Sequence, residues 1–535
     1  EGDRTVTSRA RACLVLGAMT MSCSSWFGPA KQVEHSQEPA LLPARVRRLS
    51  NLEYERSASE LLGAPLEIAN RLPPDVRQSG YTRNAEQVVS SEMLAQLDAI
   101  TRLLARDAVA QRLAVLAPCA NTASSDCAAQ VVATLGERAY RRPLGESDQR
   151  TLLAAFSTGS AEGGGFGGGL ELLLRVLLVS PSFLYTTELG PSGAHADIIT
   201  LTAYEIASEL SYTVRGGPPD ADLLRAARTG ALRSADERAR QARRLIAESD
   251  TREQFRQFAL EWLEVDALEQ TAKSSSVLAD YDDLKPHMLD ETRAFVDQVM
   301  VHHGASVRAL LTAGFASVDP TMARLYGLHG YGPEASLAGS GRLGVLQQAS
   351  FLAAHAHEDS SSPVKRGDFV LRRLLCEPVK RPGEVGIDII LPPPIATHTT
   401  RERFDAHTSN AACSSCHLEL DQLGFSFENF DAAGQLRSRE NGQPVTTSAE
   451  IWKSGSTHEF ADSRALSRYL ADEPAVSECF ARQAFRYFTG ATQPGAEQAF
   501  VTLTRDLPGE ASGNLLEELL AFVSSDLFVK RAVAR

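Results

Sequence analysis

Residues 411–418 read Ala-Ala-Cys-Ser-Ser-Cys-His-Leu and contain a Cys-x-x-Cys-His motif at 413–417. Two cysteines three positions apart in a helix lie about one turn from each other, so both thiols can bond to one porphyrin. The histidine that follows such a pair is the usual axial ligand of the iron. The motif therefore predicts one covalently attached haem c, held by Cys413, Cys416 and His417, in a c-type haem-binding module.

Three other interpretations of the motif involve no haem. Cys413 and Cys416 could form a short disulfide. A zinc ion bound by the two cysteines and His417 would need a fourth ligand, and no further Cys or His follows within forty residues. A thioredoxin-like dithiol would sit at the head of a βαβ unit, and the surrounding sequence lacks that pattern. The haem interpretation is therefore favoured.

The second axial position of the iron decides what a haem of this kind does. A methionine or a second histidine there makes an electron carrier, whereas an open position permits peroxide or oxygen chemistry. His355 and His357 are the first candidates, and at most one of them would bind, because residues two apart do not share a helix face. Other candidates are Met288, His398 and His407. Lys365 and Arg366, in the same module, are candidates for binding the haem propionates.

The N-terminal residues have the pattern of a bacterial export signal. Arg4, Arg9 and Arg11 accompany a short apolar stretch at 12–21, and Thr-Met-Ser-Cys at 20–23 resembles a lipobox with Cys23 as the lipidated residue. A plain secretory signal cleaved nearby is the alternative. We expect a lipoprotein signal peptide at 1–23 and a periplasmic or cell-envelope location, with the protein attached to the outer membrane. The attachment would be by the lipid anchor only, because no other apolar stretch is long enough to span a bilayer.

Cysteine usage also suits an oxidising compartment. Cys119 and Cys127 flank a polar loop of the kind that a disulfide closes in exported proteins. Cys376 and Cys479 then remain, and elimination makes them candidates for a second bridge, provided that they lie close enough in space.

The charge balance bears on partners. The formal net charge is -13 and the pI is about 5.5. These values argue against a nucleic-acid partner, which requires a basic surface. An acidic surface suits a periplasmic protein, and with the haem motif it predicts a periplasmic redox partner protein with a basic face. Simple solubility explains the same charge equally well.

Apolar residues recur at helical spacing along most of the chain, which predicts an all-α fold. The predicted helices are 42–62, 93–116, 130–156, 170–178, 202–212, 238–263, 288–302, 463–470, 477–488 and 515–523. Strand signals are few, and the best, 387–391, precedes three prolines and is more typical of an extended linker. The glycine-rich run at 159–169 predicts a flexible loop.

Several short phrases in the sequence are jointly characteristic. They are Asn-Leu-Glu-Tyr-Glu-Arg at 51–56, Ala-Tyr-Arg-Arg-Pro-Leu at 139–144, Ser-Pro-Ser-Phe-Leu-Tyr at 180–185, Tyr-Glu-Ile-Ala-Ser-Glu-Leu-Ser-Tyr at 204–212, Ser-Pro-Val-Lys-Arg-Gly at 362–367, and the haem motif running into Leu-Gly-Phe-Ser-Phe-Glu-Asn-Phe-Asp at 423–431. Together they resemble the planctomycete-type multidomain cytochrome-like family. The resemblance implies a mostly helical exported protein with one c-type haem site and an undefined reaction. Asp421-Gln422 stands where the family usually has Asp-Pro.

The resemblance extends from about residue 43 to 531 in the family's usual order of five modules. After the signal peptide and a linker at 24–42, the expected modules are an N-terminal helical one at 43–110, a second at 111–190, a third at 198–328, the cytochrome-like module at 340–437 and a C-terminal one at 450–531. The expected architecture is thus a multidomain, bundle-like array of helices around a single c-type haem-binding module.

Three functions follow from different weightings of these features. The first is an exported, lipid-anchored cytochrome-like protein with one covalent haem that transfers electrons in the periplasm. The second is a haem-dependent oxidoreductase of peroxidase or oxygenase type. The third is a haem-free helical scaffold or surface-binding lipoprotein. Other catalytic signatures, including Gly-x-Ser-x-Gly and His-Glu-x-x-His, are absent from the sequence.

Overall fold

Local capping signals set where the helices begin and end. Ser50 accepts a hydrogen bond from the Glu53 amide while Glu53 caps Ser50 in return, so the first helix starts at Asn51. It ends at Gly63, whose φ of 68° is the left-handed conformation that glycine adopts without strain. The computed structural model describes residues 40–122, 124–191, 193, 196–379, 397–408, 411–453, 455–511 and 513–533.

Helices dominate this part of the chain, as the sequence predicts: 60% of the described residues are helical. Up to residue 246 the helices are α1 Asn51–Leu62, α2 Ser91–Leu116, α3 Ser125–Tyr140, α4 Glu146–Gly159, α5 Gly165–Val179, α6 Pro181–Leu184, α7 Ala203–Arg215, α8 Ala221–Arg228 and α9 Ala235–Ile246.

The residues after 246 are also mostly helical. Its helices are α10 Ser249–Trp262, α11 Tyr281–His302, α12 Val307–Thr312, α13 Pro320–Tyr326, α14 Ala349–Ala354, α15 Pro363–Phe369, α16 Thr400–Thr408, α17 Ala411–Phe425, α18 Ser463–Asp472, α19 Pro474–Thr489, α20 Pro494–Arg505, α21 Leu515–Ser524 and α22 Asp526–Val529.

Three predicted helices differ from the observed ones. Residues 45–48, expected as helix, form a strand. The predicted helix 130–156 is interrupted between α3 and α4, where Arg141 adopts a left-handed φ of 58° and Pro143 follows. The predicted helix 238–263 is divided at 247–248, between α9 and α10.

The prediction of a flexible loop at 159–169 is wrong. Residues 160–164 form a π-helical turn and α5 begins at Gly165. A Cβ atom on Gly159 would lie 2.3 Å from the carbonyl oxygen of Gly168, so the glycines let the two helices approach closely. Close packing, not flexibility, explains the glycine run.

Five two-stranded antiparallel sheets occur among the described residues. Their strands are β1 Arg45–Arg48, β2 Tyr185–Glu188, β3 Ile198–Thr200, β4 Phe315–Val318, β5 Gly332–Ser336, β6 Arg439–Glu440, β7 Gln443–Pro444, β8 Ala449–Lys453, β9 Ser456–Phe460 and β10 Lys530–Ala532. β1 pairs with β2, and β10 pairs with β3, so two of these sheets join segments that are far apart in sequence.

The buried side chains form two hydrophobic clusters. One contains residues 49–184 together with Tyr212, and the other contains mainly residues 201–529. The first two expected modules thus share one core and the remaining three mainly share another, and the described residues between 40 and 533 group as one compact unit. No helix in the described ranges is long and apolar enough to cross a membrane.

Buried ion pairs connect segments near residues 45, 188 and 531. Glu188 on β2 accepts hydrogen bonds from Arg45 Nε at 2.8 Å and from Arg531 Nε, and all three side chains are less than 10% exposed. Beside them Arg47 forms a two-pronged pair with Glu53, at 2.6 and 3.0 Å. The two arginines hold the pKa of Glu188 at about 2, against the penalty of burial.

Candidate functional site

The Cys-x-x-Cys-His motif lies in the first half of α17, Ala411–Phe425. The backbone there is helical, so Cys413 and Cys416 are separated by close to one turn. Their side chains are outside the described part of the structure, as are residues 409–410 before the helix. What the structure describes at this site is therefore His417 and the elements packed around the helix.

His417 is oriented by a carboxylate one turn further along α17. Its Nδ1 atom donates to Oδ1 of Asp421 at 3.1 Å, and the Asp421 side chain is 1% exposed while that of His417 is 23% exposed. Because a carboxylate only accepts, Nδ1 carries the proton in this contact. A histidine that binds metal through Nε2 commonly donates its Nδ1 proton to a carboxylate in this way.

Two glycines bring α15 directly against α17. A Cβ atom on Gly367 would lie 1.9 Å from the carbonyl oxygen of Leu420, and one on Gly424 would lie 1.9 Å from that of Pro363. Only glycine permits this separation of the two backbones. The pairs 363 with 424 and 367 with 420 show that the helices run antiparallel, so α15 fixes the second half of α17.

Helix α16 also packs against α17, and it begins with a reciprocal cap between Thr399 and Glu402. The guanidinium of Arg401 stacks 4.6 Å from the centre of the Phe425 ring. Asp405 is close enough to Asp421 for their charges to interact. The short helix therefore runs antiparallel to α17 as well, and its far end approaches the motif.

Arg366 and Lys365 are the residues that the sequence predicts as propionate partners. In the structure both side chains donate hydrogen bonds to backbone carbonyl groups. The Arg366 guanidinium is fully buried and donates to the carbonyl groups of four residues, Leu352, Phe427, Phe430 and Asp431. It joins α15 to the turn after α17. Lys365 is exposed and its ammonium donates to the carbonyl of Ala356 at 2.9 Å.

The two histidines considered for the second axial position differ in surroundings. His355 is buried, with ring centres of Phe351 and Phe369 at 4.5 and 5.0 Å, and its Nε2 lies 2.9 Å from the Leu263 carbonyl oxygen. Burial lowers its pKa. It is a packed core histidine, which argues against an iron-binding role. His357 is half-buried on the following loop and stays a candidate.

The other candidates for that position are also placed. Met288 is fully buried in the core of α11. His398 lies before α16, where its Nδ1 is 3.2 Å from Thr397 Oγ1. The side chain of His407 is outside the described residues.

Both cysteine pairs that the sequence singles out form disulfides. Cys119 is bonded to Cys127 across the polar loop before α3, and Cys376 is bonded to Cys479. The second bridge links the segment after α15 to α19 in the C-terminal part of the chain. Cys23, the predicted lipidated residue, and the linker at 387–391 lie outside the described residues.

Two residues at the site escaped the sequence analysis. Asp421 stands four positions after His417, a spacing that on a helix brings two side chains together, so this contact could have been inferred. Lys273, in the segment before α11, donates at 2.7 Å to the His357 carbonyl in the cytochrome-like module. No local pattern signals that contact.

Four family models match the chain. The residues matched are 47–110 for PSD3, protein of unknown function (DUF1587), 127–188 for PSD5, protein of unknown function (DUF1595), 201–328 for PSD4, protein of unknown function (DUF1592), and 342–440 for PSCyt3, protein of unknown function (DUF1588). The last of these contains the motif at 413–417, α15 and α17.

Searches of curated proteins and of solved structures found no match to the chain. The four family models nevertheless occur together and in one order along residues 47–440. PSCyt3 is a planctomycete cytochrome domain. The chain belongs to the planctomycete-type family of multidomain cytochrome-like proteins.

Proposed function

We propose that this protein is an exported c-type cytochrome-like protein that carries one covalent haem c and transfers electrons in the periplasm. The observation that carries the proposal is the hydrogen bond from His417 Nδ1 to the buried Asp421 carboxylate, directly after the two motif cysteines. It presents the imidazole in the tautomer that axial ligation requires.

The residues present fit a haem. Cys413 and Cys416 would form the two thioethers and His417 would be the axial ligand. The bound haem would supply a one-electron redox centre. Asp421 would keep the His417 ring in one orientation and make its Nε2 a stronger donor. The α15–α17 and α16–α17 contacts hold the helix that carries all four residues.

Location and partner follow from the sequence features. The signal at 1–23 supports export with lipidation at Cys23, which would anchor the protein to the outer membrane. The two disulfides support an oxidising compartment outside the cytoplasm. A net charge of -13 favours a periplasmic redox partner whose docking face is basic.

The test is expression of the full chain with a periplasmic haem-maturation system, followed by a pyridine haemochrome assay. We expect one covalent haem per chain, lost in the double variant Cys413→Ala, Cys416→Ala. The matched control is Cys119→Ala, Cys127→Ala, which also removes two cysteines but leaves the motif intact and should retain the haem. A folded, colourless wild-type protein would refute the proposal and leave the haem-free scaffold.

A haem-dependent oxidoreductase is the second candidate function. Two of the candidates for the second axial position are buried, which favours this function. His355 Nε2 contacts the carbonyl oxygen of Leu263, and Met288 is packed in the core. An open axial position permits peroxide or oxygen chemistry. A high-spin oxidised spectrum that changes on adding cyanide would support this function, and a low-spin spectrum in both oxidation states would support the electron carrier.

A further inference from the structure

Among the described residues, Lys365 in the cytochrome-like module and Lys273 outside it lack a carboxylate partner. The chain has seven lysines, and five of them lie in the described residues. Three of these five form an ion pair within 4.0 Å, namely Lys285 with Asp282, Lys453 with Glu377 and Glu419, and Lys530 with Asp526. Within the described ranges, Lys273 and Lys365 have no carboxylate oxygen at that distance.

These two lysines are neighbours. The Lys365 ammonium donates to the carbonyl oxygen of Ala356 at 2.9 Å, and that of Lys273 donates to the next carbonyl, His357, at 2.7 Å. Two like charges therefore sit on consecutive peptide groups of one loop. Each ammonium has three N–H donors, so each keeps donors beyond the one that the loop uses.

The loop that holds them is fixed by its own backbone. His357 N donates to Ser360 O at 2.9 Å, and Ala356 pairs with Ser361. Ser274 N donates to Glu358 O at 3.0 Å, which docks the segment carrying Lys273 onto the same loop. The two ammonium groups are thus brought together by a preformed structure and not by flexible side chains alone.

The repulsion between these charges is only partly compensated by the acidic groups described nearby. Burial, then the charges of Lys365 and Arg366, lower the pKa of Lys273 to about 8. The acidic groups that face Lys273, Glu358 and Asp431, offset this in part. The His357 ring is half-buried beside both lysines, and it also interacts electrostatically with Asp359 and with Arg403 of α16. An anion between the ammonium groups would remove the repulsion.

We propose that Lys273 and Lys365, with the His357 imidazole beside them, form a binding site for an oxyanion, either a carboxylate or a phosphate. Lysine binds such groups as a compact charge with several donors. The oxyanion comes from one of two sources, a haem propionate or a free anion. Only the propionate source rests on the proposed function, since a free anion would fill the site in a protein without haem.

The first test uses the full chain without haem, either as the Cys413→Ala, Cys416→Ala variant or as wild type produced without haem maturation. Lysine acetylation by acetic anhydride is followed residue by residue by mass spectrometry, with inorganic phosphate or acetate as the probe. At a phosphate concentration ten times the dissociation constant, Lys273 and Lys365 should react about ten-fold more slowly. Lys530, paired with Asp526, should react at an unchanged rate.

Variants show whether the two lysines act as one site. Lys273→Met should abolish the protection of Lys365 by phosphate. The matched control is Lys285→Met, because Lys285 lies 5.3 Å from the Tyr281 ring, the ring that Lys273 approaches at 5.9 Å, but is paired with Asp282. The control should leave the protection intact.

Haem attachment then identifies the source of the oxyanion. If it protects both lysines without phosphate and removes the effect of added phosphate, a propionate occupies the site. If phosphate protects them equally with and without haem, the ligand is a free anion. The proposal is overturned if neither phosphate, acetate nor haem attachment slows the two lysines more than Lys530. A colourless protein would refute the haem proposal while leaving the phosphate measurement valid.

Discussion

The Nδ1 atom of His417 lies 3.1 Å from Oδ1 of Asp421, a carboxylate that is 1% exposed. A buried carboxylate on the far side of an axial histidine strengthens that histidine as a donor and stabilises the oxidised iron. This pair therefore links the fold of α17 to the redox properties proposed for the protein.

The pair predicts the effect of Asp421→Asn. The amide is neutral, so the haem protein should have a higher midpoint potential, measured by redox titration of its visible spectrum. Asp405→Asn is the control, because Asp405 interacts with Asp421 by charge and its replacement leaves both members of the His417–Asp421 hydrogen bond in place. Equal shifts in both variants would show that only the general field, and not the hydrogen bond, matters.

The close contact of α15 and α17 predicts that Gly367→Ala and Gly424→Ala are destabilising. Each new Cβ would lie 1.9 Å from a carbonyl oxygen of the facing helix, so the helices must separate. We expect a loss of about 1–3 kcal/mol in the free energy of unfolding by urea titration. Gly330→Ala, where no atom lies within 4 Å, should change it little. Unchanged stability in both contact variants would contradict this packing.

The Glu188 pair with Arg45 and Arg531 predicts a dependence of stability on pH. The folded-state pKa of Glu188, about 2, is below the 4.5 of an unperturbed glutamate, so its stabilisation is present above pH 4.5 and is lost as pH falls towards 2. Glu188→Gln should reduce stability at neutral pH by about 3–5 kcal/mol, since two buried arginines lose their partner. It should also weaken the decline between pH 4.5 and 2, measured by urea midpoints.

The two disulfides predict unequal losses of stability. Cys119–Cys127 closes a sequence separation of 8 residues, whereas Cys376–Cys479 closes one of 103. In the chain-entropy account, replacing the second pair by alanine should cost about 2 kcal/mol more than replacing the first. Unfolding of the two double variants under identical conditions checks this. An equal or reversed cost would show that local packing outweighs loop entropy.

Much of the helical fold was predictable because helix periodicity is local. The predicted helix 93–116 matches α2, and 515–523 matches α21. The strand at 45–48 was missed since its partner, 185–188, is remote in sequence and its own pattern, Arg-Val-Arg-Arg, favours no sheet. The glycine run at 159–169 predicts a loop, but glycine suits both a flexible loop and a close contact between helices. Only the position of the neighbouring backbone distinguishes the two.

The candidate site also has local features that the sequence predicts and tertiary contacts that it does not. The motif and the i, i+4 spacing of His417 and Asp421 are local and can be read from the sequence. The neighbouring ammonium groups of Lys273 and Lys365 depend on how the segment before α11 docks onto the loop after α14. Tertiary structure alone brings them together, and the same holds for the burial of His355.

The pairing of β10 with β3 has a consequence for how the chain is made. Arg531 lies 343 positions after Glu188, its ion-pair partner, so Glu188 leaves the ribosome long before Arg531 is synthesised. Until residues 530–532 have emerged, Glu188 lacks its Arg531 partner and Ile198–Thr200 lacks its neighbouring strand. A nascent or prematurely terminated chain therefore exposes an unpaired strand edge, the kind of surface that chaperones and proteases recognise.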